Sequence, residues 1–185
     1  MKTVYLRDGS SVQVRPVNIS DASGMLQTDR AIIEKGFGVV QELADLGTLD
    51  EYENRLQQRL RAVPHNACYA VAERRGLIVG SCQIERLIPA RVRHVATVSV
   101  GVHPSHQALG IGRAVMDYVL TWARGVQAPP IIRIELAVQA DNYPAQRLYD
   151  ALGFQRECIR RRYIRDPDGR ERDDYIMTYF IDETR

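Results

Sequence analysis

The sequence predicts an α+β (mixed α/β) fold, in which one central mixed sheet carries helices on both faces. Two observations predict it. Short runs of β-favouring residues form a hairpin, then three successive strands, and later strands that alternate with stretches of helical apolar spacing. The chain also has 185 residues, 45% of them hydrophobic, with no internal repeat or low-complexity linker. We therefore expect a single domain over residues 1–185 with one core and a mostly antiparallel sheet.

Charge and cysteine content exclude several classes of protein. The 25 lysines and arginines nearly balance the 23 acidic residues, so we expect no nucleic-acid partner and no binding to an acidic membrane. Cys68, Cys82 and Cys158 lie far apart without a CxxC pair, which predicts reduced thiols and no metal site. The amino-terminal segment has no apolar signal core, and no run reaches transmembrane length. These features predict a cytoplasmic protein.

The first third of the chain predicts a hairpin followed by two helices. The hairpin turns at Asp8-Gly9, and apolar residues over 22–33 recur at helical spacing. Thr48 and Glu51 have the spacing of a capping box, so a second helix begins there, and residues 36–47 before it are predicted to form a loop. The apolar stripe of this second helix consists of Leu49, Tyr52, Leu56, Leu60 and Val63.

The middle of the chain predicts three strands and a long helix. The strand runs cover 67–73, 77–87 and 93–103, and the turns between them favour an antiparallel meander. The helix extends from Gly110 to about Arg124. Its apolar positions step by three and one, as in a helix lying on a sheet: Ile111, Ala114, Val115, Tyr118, Val119, Trp122 and Ala123.

The last third predicts a strand, a short helix and a closing hairpin. A strand over 131–138 precedes a helix that Asp141 or Asn142 can cap and that Gly153 ends. The final hairpin turns around Asp166–Gly169. Its charges alternate in sign, which is typical of a solvated hairpin or of the rim of an anionic-substrate pocket.

A glycine-rich segment leads into the long helix. Gly110 and Gly112 stand where the first N–H groups of the helix have no intrahelical partner, and the helix dipole makes this end positive. Such an end suits a phosphate or a diphosphate. It does not match a P-loop, which needs a Lys-Ser or Lys-Thr pair, nor a dinucleotide fingerprint, since position 115 is Val. By itself, the segment is equally consistent with a tight connection.

A second candidate group lies on the short helix. Asn142 and Tyr149 are separated by nearly two full turns and so share one helix face. Taken alone, Tyr149 is more typical of a half-buried tyrosine whose hydroxyl meets a backbone acceptor. The two segments acquire a functional interpretation only together.

Together, these segments resemble the GNAT superfamily of N-acetyltransferases. The strand ending in VGVHP, followed by Gln107-x-x-Gly110-x-Gly112, is similar to the diphosphate loop of that family. The stretch DNYPAQRLYDALGF is similar to its Asn-x-x-Ala-x-x-Leu-Tyr-x-x-x-Gly-Phe helix. The resemblance covers residues 11–183 and is closer to the bacterial branch that acetylates amino acids and similar small amines.

The resemblance implies acetyl-CoA as the cosubstrate and two parallel strands that splay apart to admit its pantetheine arm. The diphosphate would meet the backbone N–H groups of residues 107–113 and the side chain of Arg113. The arm would pair with the backbone of the first splayed strand and contact the start of the short helix. The residues concerned are Val100, Val102, Gln107, Ala108, Leu109, Gly110, Ile111, Gly112, Arg113, Asn142 and Ala145.

Acetyl transfer to an amine requires a donor for the developing oxyanion and a proton for the leaving thiolate. The Val100 N–H is the candidate oxyanion donor. Tyr149 suits the general acid, because a phenol with a pKa of about 10 stays protonated at neutral pH. Some relatives carry a glutamate base where this chain has Ala137, and Glu135 on the same strand face could substitute. Other candidate bases are Glu34, Glu85, His94 and a water chain.

The expected reaction is direct transfer to the primary amine of a small molecule, such as an amino acid or an amine-bearing antibiotic. No cysteine or serine is placed for a covalent route. A protein N-terminus or a lysine is the alternative acceptor, and a non-catalytic module that binds coenzyme A is the alternative of another class. Dimers are common in the family, so a homodimer is a further expectation.

Overall fold

The computed structural model describes residues 1–36, 38, 40–61 and 66–181. Its eight strands are β1 (Lys2–Tyr5), β2 (Ser11–Pro16), β3 (Ala67–Arg74), β4 (Leu77–Arg86), β5 (Val95–Val102), β6 (Arg133–Gln139), β7 (Gln155–Arg165) and β8 (Glu171–Phe180). Its helices are α1 (Ala22–Glu34), α2 (Leu43–Leu46), α3 (Leu49–Arg61), α4 (Ile111–Gly125) and α5 (Tyr143–Ala151).

All eight strands form one sheet in the order β1-β2-β3-β4-β5-β6-β8-β7. Among the described strands, β5 and β6 are the one parallel pair, and every other neighbouring pair is antiparallel. The predicted hairpin, meander and closing hairpin are therefore confirmed. The sheet is mixed and mostly antiparallel, as the α+β class requires.

Helices cover both faces of this sheet. A Cβ atom added at Gly80 would lie 3.1 Å from Ile111 of α4, whereas one added at Gly101 would lie 3.0 Å from Ile32 of α1. Helix α5 lies beside α4, since a Cβ at Gly112 would come within 3.2 Å of Leu148. The α4 and α5 side is therefore opposite to the α1 side.

The main core lies between α4 and the sheet. The helical spacing predicted for α4 is confirmed, because Ile111, Val115, Val119 and Ala123 are almost completely buried. Tyr118 and Trp122 pack at the margin of this core. Met116 and Leu120 are also buried, so the contact face of α4 is wider than the predicted stripe. This burial fixes the amino-terminal end of α4 against the sheet.

The two helices of the first third form as predicted, with one addition. The Thr48 N–H donates to Glu51 and the Glu51 N–H to Thr48, which confirms the capping box of α3. Within the predicted loop 36–47, a single helical turn, α2, forms where Glu42 and Asp45 cap each other. Glutamate is not a typical N-cap residue, so no helix start is predicted there from the sequence pattern. Val63 of the predicted stripe lies outside the described residues.

None of the helices in the described part of the chain is both long enough and apolar enough to span a membrane.

Candidate active site

The candidate site begins where the two parallel strands part. β5 and β6 are in register at Val95 with Arg133, Ala96 with Ile134 and Thr97 with Glu135, and their pairing then ends. β5 nevertheless continues for five more residues to Val102, and β6 for four more to Gln139. The backbone of β5 from residue 98 to 102 therefore faces an opening on its β6 side. Val100 and Val102 lie in this stretch, which pairs with β4 but not with β6.

The segment after β5 presents a run of backbone donors. Six consecutive N–H groups, from Ala108 to Arg113, have no hydrogen-bond acceptor among the residues that the structure describes. The next N–H, that of Ala114, donates to the Gly110 carbonyl and begins the regular helix. Donors without an acceptor in the described residues, at the positive end of a 15-residue helix, are suited to bind an anion.

Backbone conformation explains why a glycine occupies the N-cap of α4. Gly110 has a φ of +99° at the N-cap of α4, a value that residues with a Cβ atom rarely adopt. A Cβ there would meet no atom within 4 Å, so the space beside it is open. Ala108 also has a positive φ of 64°. This open cradle of N–H groups fits a diphosphate, the group that the cosubstrate would place there.

The amino-terminal hairpin contacts the carbonyl groups of the loop. The Arg7 N–H donates to the Leu109 carbonyl at 3.1 Å, and its guanidinium lies 3.5 Å from the Ala108 carbonyl. These contacts use the carbonyl groups and so leave the N–H groups of the loop unpaired. Sequence analysis missed Arg7, since no local signal links residue 7 to a loop a hundred positions away.

Two residues predicted for the diphosphate have other partners. The Gln107 N–H donates to the Pro104 carbonyl at 3.4 Å, and its side chain donates to the Val102 carbonyl at 3.2 Å. The Arg113 guanidinium donates to the Ala151 carbonyl at 3.3 Å and pairs with Asp117 at 3.6 Å. Gln107 therefore connects the end of β5 to the loop, and Arg113 links α4 to α5.

Tyr149 lies in the core beneath the opening. Its side chain is only 7% exposed and packs on Phe154 with ring centroids 6.0 Å apart. Its hydroxyl has no hydrogen-bond partner within the described ranges. Burial, with a smaller effect from nearby Cys82, raises the pKa of Tyr149 above its ordinary value of 10. Since Cys82 pairs with Val100 across β4 and β5, Tyr149 and the splayed strand lie close together.

Asn142 and Ala145 form the cap of α5. The Ala145 N–H donates to Asn142 Oδ1 at 3.2 Å, so these two groups satisfy each other. The Asn142 amide nitrogen faces the segment before α2, since a Cβ added at Gly38 would lie 2.6 Å from it. Gly38 in turn donates its N–H to Gln139 Oε1 at 3.1 Å. Gly38 therefore borders the opening on the α5 side.

The face of the sheet opposite α4 carries a polar row at the same level. Glu85, Thr97 and Glu135 are register partners on three neighbouring strands, so their side chains share one face. Glu85 Oε1 accepts a hydrogen bond of 2.7 Å from the Tyr69 hydroxyl. Glu135 instead accepts a bond of 2.6 Å from Arg133, which also pairs with Glu157.

The other candidate bases, His94 and Glu34, lie outside the polar row. His94 precedes β5, six residues before Val100, which in a strand is a distance on the order of 20 Å. Glu34 is exposed at the last residue of α1. Neither residue belongs to the row of Glu85, Thr97 and Glu135.

Two cavities extend over this face. The smaller, of about 140 Å³, is lined by Gln83, Glu85, Thr97, Val98 and Ser99. The larger, an open cleft of about 410 Å³, is lined by Arg55, Gln58, Arg59, Tyr69 and Glu85. Glu85 lines both, so the two cavities meet at its side chain. We refer to them together as the acceptor cleft.

Comparison with known proteins gives this geometry a family context. The sequence profile of the Acetyltransferase (GNAT) family matches residues 39–154, more than half of the chain. This range includes the splayed strands, the loop of unpaired donors and Tyr149.

Two curated relatives are named as N-acetyltransferases. The N-alpha-acetyltransferase RimI of Mycobacterium tuberculosis is 38% identical over 104 residues, which cover 56% of this chain and 61% of the relative. The ribosomal protein bS18-alanine N-acetyltransferase of Escherichia coli is 34% identical over 73 residues, covering 40% of this chain and 47% of the relative. The chain thus spans about half to three-fifths of the length of these relatives.

A solved structure shares the whole fold. YncA of Salmonella typhimurium, a putative acetyltransferase solved with its cofactor acetyl-CoA, superposes with a TM-score of 0.81. The match covers 95% of this chain and 97% of that one at 19% sequence identity. It shows the common architecture of the two proteins.

Proposed function

The chain belongs to the GNAT family of acetyltransferases, whose members use acetyl-CoA, and we propose that it acetylates the α-amino group of a protein N-terminus. One observation carries the acetyl-transfer part of the proposal. The run of unpaired N–H groups from Ala108 to Arg113 lies beside the opening between β5 and β6, with an unbonded Tyr149 hydroxyl beneath it. These features would supply a diphosphate cradle, a channel for the pantetheine arm and a proton donor.

The choice of acceptor follows the relatives. Sequence analysis favoured the amine of a small molecule and kept a protein N-terminus as the alternative. Of the two curated relatives described above, one is named for N-alpha acetylation and the other for an alanine of a ribosomal protein, which together favour the alternative. The acceptor cleft is also open to solvent, which suits the end of a polypeptide chain entering from outside.

The reaction needs two proton transfers, one to the leaving sulfur and one from the attacking amine. Tyr149 would give its hydroxyl proton to the sulfur as the carbon–sulfur bond breaks, and its raised pKa keeps it protonated until then. The attacking amine must lose a proton as the carbon–nitrogen bond forms. The base that takes the amine proton then releases it to solvent, and Tyr149 takes up a proton from solvent, so both groups return to their starting states.

For the amine proton, we propose Glu85 in place of Glu135, the carboxylate favoured from sequence. Glu135 is ion-paired with Arg133, so its carboxylate is already engaged. Glu85 has a neutral hydrogen-bond donor, Tyr69, and its side chain lies where the two cavities meet. With strands about 5 Å apart and about 3.3 Å per residue, Glu85 and Val100 are on the order of 10 Å apart at Cα, a span that an amine or a water can bridge.

The proposal is tested by the release of coenzyme A thiol. The protein is mixed with acetyl-CoA and either a peptide with a free α-amino group or the same peptide with that group blocked. We expect thiol release and a mass gain of one acetyl group with the free peptide alone. A panel of amino acids, polyamines and aminoglycosides is assayed in parallel.

The panel distinguishes the three functions. Release with small amines but with no peptide would overturn the peptide acceptor and favour the small-molecule function. Stoichiometric binding of acetyl-CoA without release in any mixture would overturn the enzyme assignment and favour a coenzyme A-binding module.

Two further expectations belong to this proposal, a cytoplasmic location and a homodimer. A mass of 42 kDa by light scattering, twice the 21.0 kDa of the chain, would support the dimer, and 21.0 kDa would contradict it.

A further inference from the structure

Beyond the site of acetyl transfer, we infer that the acceptor cleft selects N-termini that carry a carboxylate side chain next to the reacting amine, and that Arg59 recognises this carboxylate. The inference rests on the proposed function. It starts from the charges of the cleft, which combine one carboxylate, Glu85, with two guanidinium groups, Arg55 and Arg59. This pattern complements a group with an amine at one end and an acid at the other.

Arg55 and Arg59 form no ion pair in the part of the chain that the structure describes. Arg15, Arg133, Arg160 and Arg172, in contrast, pair with one or two carboxylates each. Arg59 Nη1 lies 3.3 Å from the neutral Oε1 of Gln83 on the cleft wall. A guanidinium with remaining donors at the wall of a cleft can bind an incoming carboxylate with two parallel hydrogen bonds.

The nearest carboxyl groups are engaged elsewhere. Asp29 accepts a hydrogen bond of 2.7 Å from Tyr52. Burial raises the pKa of Asp29, against the opposing effects of Tyr52 and Arg59. Glu51 is held by the amino-terminal end of α3, where it accepts bonds from Thr48.

Helix α3 holds both arginines in place. Leu56 is buried with 4% exposure, and the bond between Tyr52 and Asp29 ties α3 to α1. Arg55 donates to the Leu46 carbonyl and lies 5.6 Å over the Tyr52 ring. Arg59 is one helical turn further along on the same face, closer to the sheet.

The arrangement places the two charges of an acceptor at opposite ends of one cleft. An amine near Glu85 and Thr97 points toward the opening of the strands, while the rest of the acceptor extends into the larger cavity toward Arg59. An extended peptide advances about 3.3–3.6 Å per residue. An acidic side chain at the second residue is therefore suited to reach the guanidinium.

The test compares three peptides that differ only at their second residue. The sequences begin Ala-Glu, Ala-Gln and Ala-Lys and are otherwise identical, and kcat/KM is measured for each with the full chain. We expect the Ala-Glu peptide to exceed the Ala-Gln peptide about tenfold, and the Ala-Lys peptide to be the poorest. The preference should weaken as salt is added, because salt screens a partly exposed charge pair.

Arg59→Gln is the diagnostic variant, and Arg61→Gln is its matched control on the same helix. Arg61 is exposed and lines neither cavity. In Arg59→Gln, kcat/KM for the Ala-Glu peptide should come within about twofold of kcat/KM for the Ala-Gln peptide. In Arg61→Gln, the ratio of these two values should stay as in the wild type. In Arg59→Glu the order of the Ala-Glu and Ala-Lys peptides should reverse. Acetyl-CoA binding, measured by calorimetry, checks that each variant is folded.

The possible results separate the two proposals. Equal kcat/KM for the three peptides in the wild type would overturn the acidic preference and leave the acetyltransferase assignment in place. An equal loss for all three peptides in Arg59→Gln would overturn recognition by Arg59. No acetylation of any peptide would overturn the peptide acceptor itself.

Discussion

Tyr149 shows how the surroundings of a single residue give it the properties of the proposed general acid. In sequence, a tyrosine on a helix face is more typical of packing than of chemistry. In the structure its ring is packed against Phe154, yet its hydroxyl is unbonded among the described residues and lies near the splayed strand. Because burial raises its pKa, the hydroxyl carries its proton throughout the neutral range. These properties suit a general acid.

Removal of that hydroxyl is the first prediction. Tyr149→Phe should lower kcat by a factor of about 100 or more, the usual contribution of a general acid, with little change in the Kd for acetyl-CoA. Tyr143→Phe is the matched control, since Tyr143 lies on the same helix and is 62% exposed. Turnover is measured by thiol release and binding by calorimetry. Full activity in Tyr149→Phe would remove the role.

The two carboxylates of the polar row give a second prediction. Glu85→Gln should lower kcat/KM at neutral pH by a factor of about 100, because the group that accepts the amine proton is gone. Glu135→Gln should retain most activity and the wild-type pH profile. The reverse result, with Glu135→Gln as the inactive variant, would return the role to the residue favoured from sequence.

At the scale of elements, the entrance to α4 determines how the backbone presents its donors. The unpaired N–H groups arise because the loop reaches the helix through positive φ angles at Ala108 and Gly110. The hairpin of β1 and β2 holds the carbonyl side of this loop through Arg7. The anion site is thus a property of two elements in contact.

Substitution of the N-cap glycine is the third prediction. Gly110→Ala should weaken acetyl-CoA binding about tenfold and lower the free energy of unfolding by about 1 kcal/mol, because alanine at a φ of +99° is strained. Gly125→Ala, at the other end of α4, is the control. Its φ is not positive, and a Cβ there meets nothing within 4 Å. Calorimetry and urea unfolding measure the two effects, and unchanged binding in Gly110→Ala would contradict the cradle.

An ion-pair group at the start of α1 gives the fourth prediction. Asp21 is bound by Arg15, which also pairs with Glu73 of β3. Burial acts to raise the pKa of Asp21, but hydrogen bonds from Arg15 and the Asn18 N–H outweigh it and lower the pKa below its ordinary 3.8. The stability that Asp21 contributes is therefore present above pH 3.8 and is lost as the pH falls through the lowered pKa.

Asp21→Asn should accordingly lower the free energy of unfolding at pH 7 by about 2 kcal/mol, since it removes charged hydrogen bonds. The variant should lose less further stability than the wild type between neutral pH and pH 3. Urea unfolding at both pH values measures this. Asp150→Asn, at an exposed position of α5, should follow the wild type. An equal loss of unfolding free energy between neutral pH and pH 3 in the wild type and in Asp21→Asn would contradict this role of Asp21.

At the scale of the whole molecule, the site is a discontinuity in one continuous sheet. Seven strand pairs extend through the protein, and the β5–β6 pair stops after Thr97 and Glu135. α4 and α5 cover one side of this gap and the polar row lies on the other. The cosubstrate and the acceptor can therefore approach the gap from different directions, as direct transfer requires.

Hydrogen exchange tests this arrangement without an activity assay, as the fifth prediction. Amides of residues 108–113 and those of residues 98–102 that face β6 should exchange faster than the paired amides of β3 and β4, because they have no acceptor among the described residues. Acetyl-CoA should slow the exchange of both sets of amides. Pantetheine, which lacks the diphosphate, should leave the exchange at residues 108–113 fast. No protection at residues 108–113 would contradict the proposed cradle.

Local patterns in the sequence determined the elements and the two motifs. Alternating and helical spacing, the capping box at Thr48 and the turns at Asp8-Gly9 and Asp166–Gly169 act over a few residues, so the sequence displays them directly. The glycine entrance and the helix carrying Tyr149 are local as well, which is why the family resemblance was visible.

Tertiary structure alone decided which distant residues share a face and which donors remain unpaired. The support of Leu109 by Arg7, the partners of Gln107, and the ion pair that separates Glu135 from Glu85 depend on strand register across the sheet. The joining of Arg59 and Glu85 in one cleft depends on how α3 packs. Contacts of this kind are set by packing over the whole chain, which no short sequence pattern encodes.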